Sequence, residues 1–289
     1  MGIKTVLSLR QAQELFPDFH FEKLHKTVDG VIDTTYMAIS KTQTYILKKY
    51  EKATPEQQER ERKLLKLLKK GNLNVPIHLK TYSNWHLFTF LEGESPLRPK
   101  LFHLKQAGRF LAKMHNKTHK SKQMPSAPII IDIPRNVAKV RHNPLIYHKI
   151  KKLNLFDFPN DGIIHGDLFP DNAKFNDTKI GVFDFTEAHN GSFNFDLGVL
   201  ASSWGLFDYQ NRFSSIALLL KTYNQYAPKK ISVEQLIESI EAALLFYTLQ
   251  RYALKKQSPL STLSYRTLMR RHKKFGLIKR KMKNLSRRS

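Results

Sequence analysis

The stretch IIHGDLFPDN, residues 163–172, sets a His, two Asp, an Asn and a Pro directly behind two isoleucines. An apolar run followed at once by so many polar groups reads as a buried strand that ends in a loop built to hold something charged. His165, Asp167 and Asn172 stand as H-x-D, four further residues, then N; Asp184 follows twelve positions later, in VFDF, after a second apolar run. Between them AKFNDTKIGVF reads as two short strands around an Asn176–Asp177 turn, and such a hairpin would return Asp184 to the mouth of the same loop. Asn172 and Asp184 then offer hard oxygens that suit Mg²⁺, an ion that takes few protein ligands and keeps water and phosphate. Asp167, a few residues ahead, is placed to accept a hydrogen bond from a hydroxyl. A positioned cation, anchored phosphates and a carboxylate that orients the attacking oxygen are the parts phosphoryl transfer needs.

Such a loop needs a frame. Residues 1–91 read as strands plus one helix. LHKTVDGVIDTTYMAIS is two extended runs around a turn that contains Gly30, and TQTYILKKYE is strand-like. The helix is TPEQQERERKLLKLLKKG: Thr54 can cap it, Pro55 suits its first position, Leu64, Leu65, Leu67 and Leu68 form an apolar stripe, and Gly71 ends it. HLKTYSNWHLFTFLEG reads as a hairpin pair. Gly93, Pro96 and Pro99 then mark a hinge. In residues 92–289 helical spacing dominates, in KLFHLKQAGRFLAKMHNKTHK, SSIALLLKTYNQYA and SVEQLIESIEAALLFYTLQRYALKK, with a short strand-rich insert over residues 163–186. A sheet-rich part, a hinge and a helix-rich part predict two lobes with a cleft between them.

Composition narrows the classes. The chain has 289 residues, 41% of them hydrophobic, which suffices for two small cores. No apolar run is long enough to span a membrane, and the N-terminal residues lack the pattern of a secretory signal. Cysteine is absent, so disulfides and thiolate metal sites are excluded and a reducing cytosol is the expected setting. The net charge of +25 suits anionic partners, although a basic enzyme that binds no nucleic acid carries the same signature. The C-terminal RTLMRRHKKFGLIKRKMKNLSRRS contains many Lys and Arg and no acid. It reads as a solvated or frayed end, with contact to RNA or an anionic membrane as the other reading.

HGDLFPDN with VFDF resembles the catalytic and metal-binding loops of the aminoglycoside phosphotransferase and choline kinase-like superfamily, related in fold to protein kinases. Gly166 stands where protein kinases carry the Arg of H-R-D, as is common in that superfamily. The resemblance implies an α+β, two-lobed, protein-kinase-like fold, with an N-terminal antiparallel-sheet lobe and a larger, mostly helical C-terminal lobe. It implies Asp167 as catalytic base, His165 as a brace for the loop, Asn172 and Asp184 as Mg²⁺ ligands, ATP as phosphate donor, and a structural role for Asp196. A strand Lys should anchor phosphate and a helix Glu should hold it. Lys48 is preferred over Lys49, whose side chain must face the other way, and Glu61 over Glu59. The backbone of Thr89 and Leu91 in FTFLEG would meet the base edge, and the turn at Gly30 would meet phosphate.

Within the superfamily nearly the whole chain resembles bacterial homoserine kinases of the phosphotransferase type. Members often carry a Gly-x-x-Asn-Ser/Thr-Asn-Tyr turn; this chain reads Gly30-Val31-Ile32-Asp33-Thr34-Thr35-Tyr36, without the Asn residues. A small-molecule hydroxyl acceptor is implied: an amino alcohol such as homoserine, or choline, ethanolamine, an aminoglycoside or a lipopolysaccharide sugar. Glu187 and Arg135 are candidates by position for meeting a zwitterionic acceptor. A kinase-like binding protein that holds RNA or membrane through its basic tail is the non-enzymatic alternative. His115 and His119 have metal-ligand spacing but no following Glu or third ligand, so zinc is not expected. Phe246, Tyr247 and Tyr252 read as core or cleft wall.

Overall fold

The computed structural model describes residues 4–27, 33–96, 98–121, 133–151, 159–177, 179–206, 212–253 and 264–286. The chain forms two compact units: Met1–Gly93 with Gly181–Thr186, and Glu94–Ile180 with Glu187–Ser289.

The first unit is an antiparallel sheet with helices. Strands β1 (Lys23–Lys26), β2 (Thr34–Ile39), β3 (Thr44–Lys49), β4 (His78–Tyr82) and β5 (Trp85–Thr89) lie in the order β1-β2-β3-β5-β4. Alternation along β2 and β3 buries Tyr36, Ala38, Tyr45 and Leu47 on one face, where they pack with Trp85 and Leu87. The segment ahead of β1 covers that face with Leu7, Ala12, Phe16 and Phe21. Part of this segment is a second helix, α1 (Leu9–Leu15), which a reading of strands plus one helix overlooks. Its signal is the Ser8–Gln11 capping box, in which the Ser8 side chain takes the Gln11 amide and the Gln11 side chain returns to the Ser8 amide.

Helix α2 (Pro55–Lys70) follows its punctuation. Thr54 caps the amide of Gln57, Pro55 occupies the first turn, and the helix ends at Gly71. Its buried stripe is Gln58, Glu61, Leu64, Leu65 and Leu68, so one acid is carried inward among leucines.

The second unit is mostly helical. It contains α3 (Leu101–Thr118), α4 (Ile133–Lys139), α5 (Pro144–Lys151), α6 (Phe193–Leu200), α7 (Arg212–Tyr226), α8 (Val233–Ala253) and α9 (Tyr265–Ser286). Helix α8 is buried along most of its length, with α6 and α9 packed against it; a helix that is apolar nearly all round belongs at the centre of a core. Short strands carry the polar loop: β6 (Gly162–Ile164) pairs antiparallel with β9 (His189–Gly191), and β7 (Ala173–Asn176) pairs with β8 (Lys179–Val182).

The basic tail corrects the expectation of a solvated, frayed end. Residues 265–286 form α9, and its Leu268, Arg271, Phe275, Ile278 and Met282 are buried at three- and four-residue spacing. Lys279 pairs with Glu241 of α8 at 2.8 Å. The apolar residues were present in the sequence; the density of charge on the opposite face hid their period. Phe275→Ala is expected to lower stability by about 3 kcal/mol, whereas Leu277→Ala, on the exposed face, should stay within about 0.5 kcal/mol. Chemical denaturation of the two variants checks the difference.

Candidate active site

Each unit holds its own group of candidate side chains. In the helix-rich unit the organising residue is Asp196, in α6, with no solvent exposure. Its Oδ2 accepts the His165 amide at 2.8 Å and its Oδ1 the Gly166 amide at 3.0 Å. Oδ2 also meets His115 Nε2 at 3.0 Å, and His115 Nδ1 lies 2.6 Å from the Tyr223 hydroxyl. Burial holds the His115 imidazole below its ordinary value. A neutral ring that donates from Nε2 to Asp196 and accepts the Tyr223 hydroxyl at Nδ1 satisfies all three groups. Burial pushes the Asp196 carboxyl up, but His115, His165 and the His165 amide together bring it below the ordinary carboxylate value. Its position in the first turn of α6 also favours a negative charge.

This carboxylate gathers the start of the loop. His165 is fully buried, and its Nδ1 accepts the Asp167 amide at 3.3 Å. Gly166 has φ +77°, and a Cβ there would stand 2.9 Å from the Glu187 carbonyl oxygen and 3.1 Å from His189 Cε1. Both the conformation and the space demand glycine. Tyr247 donates its hydroxyl to the Gly166 carbonyl, and Trp204 Nε1 donates to the Leu168 carbonyl at 2.9 Å. The Asn172 amide nitrogen donates to the Asp167 carbonyl at 2.7 Å and to Asp167 Oδ2 at 3.2 Å. With the donor half of the Asn172 amide turned to Asp167, its oxygen is the part left to offer a cation.

In the sheet-rich unit the organising residue is Lys48. Alternation along β3 sends Lys48 and Lys49 to opposite faces. Lys49 Nζ bonds the Thr5 hydroxyl at 2.9 Å. Lys48, with a side chain 12% exposed, points to a ring of oxygens: Thr186 Oγ1 at 2.7 Å, Asp184 Oδ1 at 3.2 Å, Asp33 Oδ2 at 3.4 Å and Glu61 Oε1 at 3.7 Å. Burial pushes its ammonium down, but Asp184, Glu61, Tyr50 and Asp33 hold it well above the ordinary lysine value. Glu61 Oε2 accepts the Tyr50 hydroxyl at 2.6 Å. Burial raises the Glu61 carboxyl, against Lys48, and the neighbouring Asp184 and Asp33 raise it further. Glu59, the rival acid, is turned outward to Arg62 and Lys63. Asp184 has φ +60°, a left-handed conformation uncommon for a non-glycine residue, and its Oδ1 also accepts the Thr186 hydroxyl at 2.8 Å.

The remaining expected positions fare differently. The Thr89 amide is committed to the Ile77 carbonyl at 2.9 Å, and its hydroxyl accepts the Ile77 amide. Leu91 follows just beyond the end of β5. The Glu187 carbonyl oxygen accepts His189 Nδ1 at 2.7 Å, which brings Glu187 against Gly166. Gly30 and the side chain of Arg135 lie outside the described residues. Sequence reasoning passed over Asp33, Tyr50 and Thr186 as partners of Lys48, and over His115 and Tyr247 as supports of the loop. For Tyr50 the available signal was period two from Lys48, and for His115 it was the likeness of LAKMH to a helix end where His is common.

A model of the phosphotransferase enzyme family matches residues 25–213. The chain belongs to this family. It is similar to the homoserine kinase of Parvibaculum lavamentivorans, 31% identical over 157 residues that make 49% of this chain and 49% of that protein. It is also similar to the homoserine kinase of Zymomonas mobilis, 28% identical over 240 residues, 73% of this chain and 75% of the relative. The chain spans about half the length of the first curated relatives it matches. Among solved structures, amicoumacin kinase hAmiN in complex with AMP-PNP, Ca²⁺ and Ami has a TM-score of 0.66 at 18% identity, over 94% of this chain and 92% of the other. That likeness concerns the fold: this phosphotransferase-family chain has the two-lobed, α+β architecture the sequence predicts.

Asp196→Ala in this family member would strand two buried amides and His115, and it is expected to cost about 3–5 kcal/mol, read as a fall in the thermal midpoint. A second expectation concerns pH. His86, on β5 opposite Lys48, donates Nε2 to Gln58 and accepts Thr81 at Nδ1. Burial, then His78, Arg62 and Lys48, lower its imidazole to about 4. The unfolded chain takes up this proton near about 6.5, so it binds more protons than the folded chain between those values. The stability His86 contributes is therefore whole above about 6.5 and is lost as pH falls toward 4. Thermal unfolding from pH 7.5 to 4.5 should show the decline, and His86→Gln should flatten it.

Proposed function

We propose that the chain is an ATP- and Mg²⁺-dependent small-molecule kinase that moves the γ-phosphoryl group to an alcohol, with homoserine as the favoured acceptor. The reading rests on what each unit holds by itself. A buried Lys is held by a helix Glu, and an Asp–Asn loop is fastened to a buried carboxylate. Membership of the phosphotransferase family supports the reaction class, and the relatives named homoserine kinase support the acceptor. The nucleotide and divalent cation bound to hAmiN support the use of both.

In this reading Asp167 orients the acceptor hydroxyl and takes its proton as the oxygen–phosphorus bond forms and the bond to the β-phosphate oxygen breaks. The Asn172 amide keeps Asp167 from turning away. His165 fixes the Asp167 backbone from below. Lys48 holds phosphate oxygens, and Glu61, itself held by Tyr50, keeps the ammonium in place. The donor set fits a hard cation. The Asn172 oxygen and the Asp184 carboxylate, exposed and set at a left-handed position, would hold Mg²⁺, which offsets charge on the phosphate oxygens. Glu187 and Arg135 are assigned to the acceptor's ammonium and carboxylate, and the backbone of Thr89 and Leu91 and the turn at Gly30 to the nucleotide.

Purified protein given Mg·ATP is expected to release ADP with homoserine and far more slowly with choline, ethanolamine, an aminoglycoside or a lipopolysaccharide sugar. Asp167→Asn should lower turnover by about 10²–10⁴-fold while nucleotide affinity is nearly kept. Wild-type turnover in that variant would remove Asp167 as the base. Preference for another acceptor would keep the kinase and replace homoserine.

A further inference from the structure

An ammonium has three N–H bonds to donate. Lys48 donates to Thr186 Oγ1 and Asp184 Oδ1, and the carboxylates of Asp33 and Glu61 stand at ion-pair distance, so a phosphate oxygen that takes the third N–H arrives among carboxylates already paired with it. Glu61 is poorly placed to yield: its side chain is 6% exposed and its second oxygen is bound to Tyr50. Thr186 and Asp184 are bonded to each other as well as to Lys48. Asp33 is different. Its Oδ1 accepts the Glu51 amide at 3.1 Å, which fixes the carboxylate, while its Oδ2 reaches Lys48 at 3.4 Å, longer than the Thr186 and Asp184 contacts and shorter than that of Glu61 at 3.7 Å. Glu51 is itself tied by the hydroxyls of Thr34 at 2.6 Å and Thr5 at 2.9 Å, so Asp33 sits on a braced corner at the start of β2. It is 8% exposed, and with Glu61 and Asp184 it sets three carboxyl groups around one ammonium.

We propose that Asp33 is a displaceable counter-charge for Lys48 and makes the site select cation-bound over cation-free nucleotide, an inference that rests on the reading of Lys48 as the phosphate anchor. Before nucleotide binds, Asp33 shares the Lys48 ammonium. An arriving phosphate oxygen takes over that contact and leaves the fixed carboxylate beside it. The repulsion is large for a bare polyphosphate and is offset when a divalent cation travels with it. Asp33 is a positioning residue here, because it acts on phosphate through Lys48.

The test is calorimetric titration of the full chain with ADP, in excess Mg²⁺ and in EDTA, for wild type, Asp33→Asn and Asp33→Ser. Both variants retain an acceptor for the Glu51 amide, so either serves if the other fails to fold. The expected result is about tenfold tighter binding of ADP in EDTA and a change within about twofold in Mg²⁺, so that the preference for cation-bound nucleotide shrinks. A preference equal to that of wild type overturns the proposal, whether both affinities hold or fall together, as they would if Asp33 were only structural. If wild type binds ADP under neither condition, the phosphate-anchor reading of Lys48 falls with it. If wild type binds and the preference does not move, the role of Asp33 alone falls.

Discussion

The hydrogen bonds that Asp196 accepts from the backbone of His165 and Gly166 are the constraint on which the loop depends. A carboxylate with no solvent exposure is costly unless its lone pairs are met by donors. Here two amides and an imidazole meet them, and a helix start supplies further positive potential. The exchange works both ways. The two amides lie at a strand end, where no ladder partner is waiting, and they would otherwise be buried unpaired. One carboxylate thus sets the path of the backbone just before Asp167. Gly166 is the only residue type that can follow that path against Glu187 and His189.

The sheet-rich unit uses the opposite arrangement, one cation among acids. Lys48 stays charged in a buried place because its neighbours are anionic, and the neighbours tolerate one another because it is there. Such mutual dependence makes the cluster sensitive to any group that joins it. A phosphate, a divalent cation or the loss of one carboxyl each changes the balance for all the others. Tyr50 tempers this. Its hydroxyl fixes Glu61, and its ring lies 4.5 Å from the Lys48 ammonium, so the pair keeps its geometry as the surrounding charge varies.

The basic C-terminal residues show how charge conceals pattern. Arg271 carries the same formal charge as its neighbours, yet it is buried and donates to the Ser202 carbonyl at 3.1 Å, in the π-helical turn that holds Trp204. Trp204 in turn holds the Leu168 carbonyl of the loop. Helix α9 is therefore part of the support of the candidate site. Among the described residues no helix is long and apolar enough to cross a membrane, and α9 owes its place to packing on α8.

The amino-acid sequence alone determined the local matters: the strand ahead of His165, the caps of α2, the alternation that parts Lys48 from Lys49, and the spacing of Asp167, Asn172 and Asp184. These follow from backbone sterics and short-range periodicity, which act over a few residues. Only the tertiary structure decided which distant groups meet. Asp184 comes to Lys48 from 136 positions away, and Asp196 to His115 from 81. The choice of Glu61 over Glu59, of Asp33 as a third acid, and of a docked helix over a frayed tail likewise depended on which face each element buries. Burial is a property of the assembled core, where desolvation and hydrogen-bond satisfaction are balanced among residues that no sequence window holds together.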